Sequence, residues 1–241
     1  WLPYTQSQYL ILFSLYYILL SIMKGFFLKI INIDAFWFIL IAIATIYVYL
    51  PIFNLFLYAD DLNLLHGLSL ALNDDGYIKW LCTPNNQHFI PILKIFYTIS
   101  YFFFGFTSYP MHIITLFFHI ASIFLFYKIS LLLFNNRVFS IFFAAIFGTS
   151  SIFSECIYWV IASSFTLCSI FNFLSLYYLY LYKKRAKNIY LFFSTIFSFL
   201  VVFNGAPGLL YPMLFFIFIL ALFYKDINNI YTKKICLYSI P

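Results

Sequence analysis

Long apolar segments separated by short polar clusters form the main pattern of this chain. Most of these segments approach the ~20 residues that a helix needs to cross a bilayer core about 30 Å thick. A membrane barrel would instead alternate polar and apolar residues along ~10-residue strands. Runs such as AFWFILIAIATIYVYL at 35–50 do not alternate in this way. The pattern therefore predicts an all-α integral membrane protein.

The apolar segments predict a multi-span helical bundle. We predict spans at about 5–23, 35–58, 111–134, 138–156, 160–182, 189–204 and 208–224. Together they make residues 1–241 a single transmembrane domain. The chain begins with Trp1 and stops at Pro241 inside another apolar run, so we expect it to be a fragment of a longer protein.

The apolar segment 89–106 decides the topology. Basic residues concentrate on the cytoplasmic side of multi-span proteins. If 89–106 crossed the membrane, Arg137 and the cluster KKRAK at 183–187 would both lie outside. If it lies in the outer interface, these later basic clusters lie on the cytoplasmic side, and Pro91 near its start also favours a surface helix. We therefore expect one outer loop, 59–110, with two juxtamembrane helices and a turn between them at NDDG, 73–76.

Composition agrees with a membrane location and excludes one class of partner. Hydrophobic residues make up 65% of the chain and the mean hydropathy is +0.99, against roughly 45–50% apolar residues in soluble domains. The net charge of +6 comes from residues that form no basic groove, so no nucleic-acid partner is expected. The four cysteines lack the spacing of metal ligands.

Two adjacent acids, Asp60 and Asp61, follow the second predicted span in a chain with only 8% charged residues. Partial desolvation and the repulsion between neighbouring carboxylates both raise a carboxyl pKa, which suits a general base near neutral pH. A plain marker of the helix end is the alternative. Glu155 is predicted to reach the same outer level, where an acid is a functional candidate by default, with a solvated loop acid as its alternative.

Histidines supply further candidate positions. His112 and His119 lie seven residues apart and so share one face of the 111–134 span, an arrangement that favours interhelical hydrogen bonds over a metal pair. His88 lies in the outer loop and either contacts a phosphate or faces water. Asn204 and Gly205 are expected to arrive at the same outer level from the 189–204 span.

These features resemble those of a known family. The acidic pair after a span, the run NNQHFIPILKIFYTISYFFFGFTSYPMHIIT and the run FAAIFGTSSIFSECIYWV are similar to the GT-C superfamily of polyprenyl-phosphate-sugar-dependent glycosyltransferases. The likeness is closest to the protein O-mannosyltransferase type and its relatives with tetratricopeptide repeats, over roughly 35–224. The matching positions are His88, Pro91, Phe104, Gly105, His112, His119, Ser151, Glu155, Ile157 and Trp159.

The same comparison of motifs has three departures. Ser151 stands where the family usually has Pro, and Thr115 stands where Asn is common. Asn204 and Gly205 occupy positions where relatives often carry Lys and Glu.

The resemblance implies transfer of a sugar from a polyprenyl-phosphate donor to a hydroxyl of an acceptor protein or glycan, on the outer side and with inversion. It implies Asp60 or Asp61 as the base, Glu155 as an orienting carboxylate, and substrate or phosphate contacts at the positions His88, Lys94, His112 and Trp159. The lipid-linked sugar is the donor substrate, and a divalent metal is compatible with the reaction, although no residue is predicted to bind one. A transporter or flippase for lipid-linked substrates and an inactive membrane scaffold of the same fold are the alternatives.

Overall fold

A computed structural model describes residues 34–86 and 88–205, together with Ile217 and Ile219. The described part is helical, and an isolated bridge between Asn85 and His88 is its only strand-like pairing, which confirms the all-α prediction. The chain divides into two compact units, 1–43 and 44–241. The predicted spans 5–23 and 208–224 lie outside the described residues, apart from Ile217 and Ile219.

Among the described residues, three helical stretches are long and apolar enough to cross a membrane, namely Asp34–Asn54, Ser108–Phe134 and Ile161–Arg185. The first consists of helix α1 (Asp34–Tyr49) and the 3₁₀ turn Leu50–Asn54. Pro51 lies at the start of that turn, where its missing amide ends the α-helical ladder. The third begins with a 3₁₀ turn, Ile161–Ser163, which leads directly into a long helix.

The predicted span 138–156 is not one straight helix. It consists of α6 (Arg137–Thr149), the 3₁₀ turn Ser151–Phe153 and α7 (Ser154–Tyr158), and the two halves meet at an angle of 44°. The carbonyl group of Ser150 at the break accepts two hydrogen bonds, from the Phe153 amide at 3.2 Å and from the Tyr49 hydroxyl at 2.7 Å. If the two halves are taken together as one bent span, they form a fourth candidate span in the described part of the chain.

The segment 59–110, predicted to be an outer loop with two helices, contains three. They are α2 (Asp60–Asn73), α3 (Tyr77–Cys82) and α4 (Pro91–Phe104), followed by α5 (Ser108–Phe134). The turn predicted at NDDG joins α2 to α3, and its Asp75 has a φ of 51°. Pro91 is the first residue of α4. Proline is tolerated there because an N–H group at the first helical position would have no partner within the helix.

Two further helices complete the described part, α8 (Ser164–Arg185) and α9 (Asn188–Val202). They pack side by side, and α8 also packs on α5. A buried cluster joins α2, α4, α5, α8 and the segment 160–161: it contains Leu64, Leu65, Leu68, Ile90, Leu93, Tyr97, Met111, Phe118, Val160, Ile161 and Leu167. This cluster fixes the outer-loop helices against the ends of the candidate spans.

Candidate functional site

A cleft of about 100 Å³ lies where three segments of the chain meet. They are the start of α2, the turn at 85–88 and the connection between α7 and α8. Its polar lining residues are Asp60, Asn85, Asn86, His88, Trp159 and Ser164. Its apolar lining residues are Ile90, Ile161, Ala162 and Phe165. The cleft therefore offers a ligand both hydrogen-bonding groups and apolar surface.

The turn at 85–88 is held by two backbone hydrogen bonds. The amide of Asn85 donates to the His88 carbonyl, and the amide of His88 donates to the Asn85 carbonyl, both at 2.9 Å. Asn86 adopts a left-handed conformation, with φ of 52°, which asparagine tolerates better than most residues. Gly205, beyond α9, lies against this turn, because a Cβ built on it would be 3.6 Å from the His88 ring.

Asp61 is a buried structural carboxylate, with only 1% of its surface exposed. Its Oδ1 atom accepts hydrogen bonds from the Tyr97 hydroxyl at 2.6 Å and the Ile161 amide at 2.8 Å. Its Oδ2 atom accepts one from the Tyr58 amide at 3.2 Å. Burial raises the pKa of Asp61, and these hydrogen bonds act in the opposite direction. Asp61 thus ties α2 to α4 and to the connection before α8.

Asp60 has a different environment from its neighbour. It is the first residue of α2, is partly exposed and lines the cleft. Successive residues of a helix point about 100° apart, so the two carboxylates face different surroundings. Asp60 is the acid of the pair that a ligand in the cleft can reach.

Two residues that line the cleft carry side-chain donors without a partner in the described part of the chain. These donors are the indole N–H of Trp159 and the side-chain amide of Asn85, and both nitrogen atoms are buried. The Trp159 ring is fixed by an edge-to-face contact with Tyr58, with 6.2 Å between ring centroids. Because an unpaired buried donor costs about 1–3 kcal/mol, this arrangement favours a ligand that carries acceptor oxygens.

Lys94, expected to contact phosphate, lies outside the lining of the cleft. It is 2% exposed, and its ammonium group donates to the backbone carbonyls of Trp80 and Thr83, both at 2.6 Å. It also lies 4.8 Å from the centroid of the Trp80 ring. Burial lowers the pKa of Lys94. Its donors therefore stabilise the C-terminal end of α3, where a cation is favourable.

Glu155 and His112 are also absent from the cleft lining. Glu155 is exposed in α7, and its backbone carbonyl accepts the Trp159 amide at 3.0 Å. Glu155 therefore lies one helical turn before the cleft residue Trp159. Its own side chain is exposed and does not line the cleft. His112 is fully buried in α5, beside the backbone of Leu55.

His119 makes the interhelical hydrogen bond that its position on α5 favoured. Its Nε2 atom lies 3.1 Å from the Gly148 carbonyl oxygen of α6, and its ring packs against Phe147. Gly148 itself has no room for a side chain, since an added Cβ would lie 2.8 Å from the Thr45 side-chain oxygen and 2.9 Å from the Cδ1 atom of Ile123. His119 is thus a packing residue of the helical bundle.

Sequence reasoning missed several residues that build the site. Asn85 and Asn86 line the cleft, and the doublet NN after Pro84 in an apolar chain was a usable signal for an exposed polar turn. Ser164 lines it as well. Tyr97, which binds Asp61, is one of 22 tyrosines and carries no distinguishing signal.

Within 34–86 and 88–205, no group of three or more His, Cys, Asp or Glu side chains is placed to hold a metal ion. Comparisons of the chain with protein-family models, with curated proteins and with solved structures gave no match.

Proposed function

We propose that this chain belongs to a multi-span membrane glycosyltransferase of the GT-C kind. It transfers a sugar from a polyprenyl-phosphate donor to an acceptor hydroxyl on the outer side of the membrane. The observation that carries the proposal is the cleft, which combines one accessible carboxylate, Asp60, with two unpartnered donors, Trp159 and Asn85. It lies at the ends of apolar helices, where a lipid-linked sugar would present its head group.

Asp60 is the general base in this proposal. A neutral alcohol is a weak nucleophile, so a carboxylate that removes its hydroxyl proton accelerates the attack. The acceptor oxygen forms a bond to the anomeric carbon, and the bond from that carbon to the phosphate oxygen breaks with inversion. The acceptor proton passes to Asp60, and the electron pair of the broken bond leaves with the polyprenyl phosphate. Asp61 is unsuited to this role because protein donors already occupy both of its oxygens.

The polar lining of the cleft serves the sugar and the leaving phosphate. Developing negative charge on a phosphate is stabilised by hydrogen-bond donors fixed in advance. His88, on the rigid 85–88 turn, is the proposed phosphate contact. Trp159 and Asn85 donate to oxygens of the sugar or phosphate, and Phe165, on the first turn of α8, lies where a lipid chain would leave the polar half of the cleft.

Three of the expected site residues receive other roles. Lys94 binds the backbone carbonyls of Trp80 and Thr83 and so stabilises the segment that precedes the cleft residue Asn85. Glu155 orients Trp159 through the short helix α7, one turn before it. His112 is a buried residue of α5 and is given no contact with substrate.

The test is a transfer assay on the chain in lipid nanodiscs. It uses radiolabelled polyprenyl-phosphate sugars and soluble peptide or glycan acceptors, and the anomeric configuration of the product is determined. Asp60→Ala should abolish transfer, whereas Asp74→Ala, an exposed acid in the α2–α3 turn, should leave it intact. Movement of the intact lipid-linked sugar across the bilayer without transfer would identify a transporter. No transfer by the wild type with any donor, or equal transfer by the Asp60 variant, would overturn the proposal.

A further inference from the structure

Helix α4 carries an apolar outer stripe that no described element covers. It consists of Ile95, Ile99, Phe102, Phe103 and, just after the helix, Phe106. Their exposed fractions run from 42% to 76%. Ile95, Ile99, Phe102 and Phe103 lie one, three or four residues apart, which places them along one broad side of the helix. We refer to these five residues as the outer stripe.

Lipid acyl chains are the occupant that suits the outer stripe. Lys94 is the one charged side chain between 89 and 106, and it is buried on the opposite side. The apolar surface continues onto the candidate span α5, where Ile113 and Phe117 are 44% and 64% exposed. At about 1.5 Å per residue, the 14 residues of α4 span only ~21 Å, too little for a ~30 Å bilayer core. The helix therefore suits a position along the boundary of the membrane.

The inner face of α4 carries two side chains, Lys94 and Tyr97, that bind next to two polar parts of the cleft lining. Lys94 binds the Trp80 and Thr83 carbonyls, and Thr83 precedes the cleft residue Asn85 by two positions. Tyr97 follows Lys94 by three residues and so lies on the same face. Its hydroxyl binds Asp61, the direct neighbour of the cleft residue Asp60.

We propose that α4 is a lipid-supported brace of the cleft. Its outer stripe inserts among the acyl chains of the outer leaflet. Lys94 and Tyr97 are positioning residues that fix the 85–88 turn and the start of α2 relative to each other. This assignment concerns the shape of the cleft and holds whatever reaction the cleft performs.

Photocrosslinking tests the lipid contact. Phe103 is replaced by p-benzoylphenylalanine, and the full chain is irradiated in nanodiscs of phosphatidylcholine and phosphatidylglycerol. The expected product is a lipid adduct, detected by mass spectrometry. The same probe at Asp75, in the α2–α3 turn, is the control and should give none. A crosslinked dimer or an absence of adducts at position 103 would overturn the proposal.

Hydrogen exchange tests the brace. In Lys94→Met, the amides of 83–90 should exchange about tenfold faster than in the wild type, which corresponds to ~1.4 kcal/mol of lost protection, while α5 and α8 keep their rates. Lys79→Met removes an exposed lysine from α3 and should change nothing. Unchanged exchange at 83–90, or a uniform increase in every helix, would contradict a positioning role.

A milder variant keeps the test decisive if Lys94→Met fails to fold. Tyr97→Phe removes one hydroxyl group and leaves the ring in place. The proposal predicts faster exchange at the Ile161 amide and at the start of α2, since both depend on a correctly held Asp61. Wild-type exchange at both places would contradict it.

Discussion

Asp60 and Asp61 are adjacent in sequence and belong to the same helical turn, yet their surroundings differ. Asp60 borders a cleft that contains unpartnered donors, whereas Asp61 is surrounded by donors that it already binds. A carboxylate that is buried and accepts protein hydrogen bonds on both oxygens stabilises a fold, whereas one that lines a cleft is available for a ligand. The comparison teaches that two adjacent acids can differ in burial and in partners, with one bound inside the protein and the other on a cleft.

The same division separates the two outer-loop groups that were expected to bind phosphate. Lys94 is buried and bound to two carbonyls, as Asp61 is buried and bound to amides and a hydroxyl. His88 is exposed on a turn that lines the cleft. Buried ionisable groups need partners inside the protein, so such groups are found in structural positions, whereas the ligand meets the partly exposed ones.

The largest difference between the two aspartates should be in the rate of sugar transfer. Asp60→Asn is expected to lower kcat by roughly 10²–10⁴-fold, the usual contribution of a general base. Its thermal unfolding midpoint should match that of the wild type, because the side chain is not part of the buried network. Transfer assays and thermal unfolding of the same nanodisc preparation measure both. A lowered unfolding midpoint would mean that Asp60, like Asp61, stabilises the fold.

Asp61→Ala should act mainly on stability. It leaves the Tyr97 hydroxyl and the Ile161 amide without an acceptor, and each unpaired buried donor costs about 1–3 kcal/mol. We expect a total loss of roughly 2–6 kcal/mol in the free energy of unfolding, measured by denaturant titration in mixed micelles. Asp74→Ala serves as the control. A stable variant that had lost transfer would reverse the assignment of the pair.

Trp159→Phe should have a smaller effect, on substrate affinity. The change keeps an aromatic ring and removes the indole N–H, a donor without a protein partner. Loss of one hydrogen bond to a ligand is worth about 0.5–1.5 kcal/mol, so KM for the lipid-linked donor should rise by up to about tenfold. Trp37→Phe in α1, outside the cleft lining, is the control. Equal KM values for Trp159→Phe and wild type would mean that the indole does not bind substrate.

The smallest effect concerns pH. Because burial raises the pKa of Asp61 above its usual value of 3.8, the folded state keeps this proton longer than the unfolded state. The associated stability is present below pH 3.8 and is lost as pH rises through the folded pKa. The unfolding midpoint of the wild type should therefore fall, relative to that of Asp61→Asn, as pH rises through this range. A rise in this difference would mean that the hydrogen bonds outweigh burial.

The sequence by itself determined the helical class and the approximate positions of the apolar helices. A run of ~20 apolar residues leaves few alternatives to a helix, because a backbone in lipid must satisfy its hydrogen bonds within the protein. It also indicated the acidic pair and the turn at 73–76. It predicted neither the break at Ser150 nor the third outer-loop helix, since both depend on contacts with residues distant in sequence.

Only the tertiary structure decided which polar residues meet. Asp61 is linked to Ile161, a hundred positions away, and Lys94 to the carbonyls of an earlier helix. Periodicity places a residue on a face of its own helix but gives no information about which loop packs there. The division of Asp60 from Asp61 is of this kind: the two have the same chemistry and nearly the same sequence context, and the difference comes from the donors that folding brings to one of them.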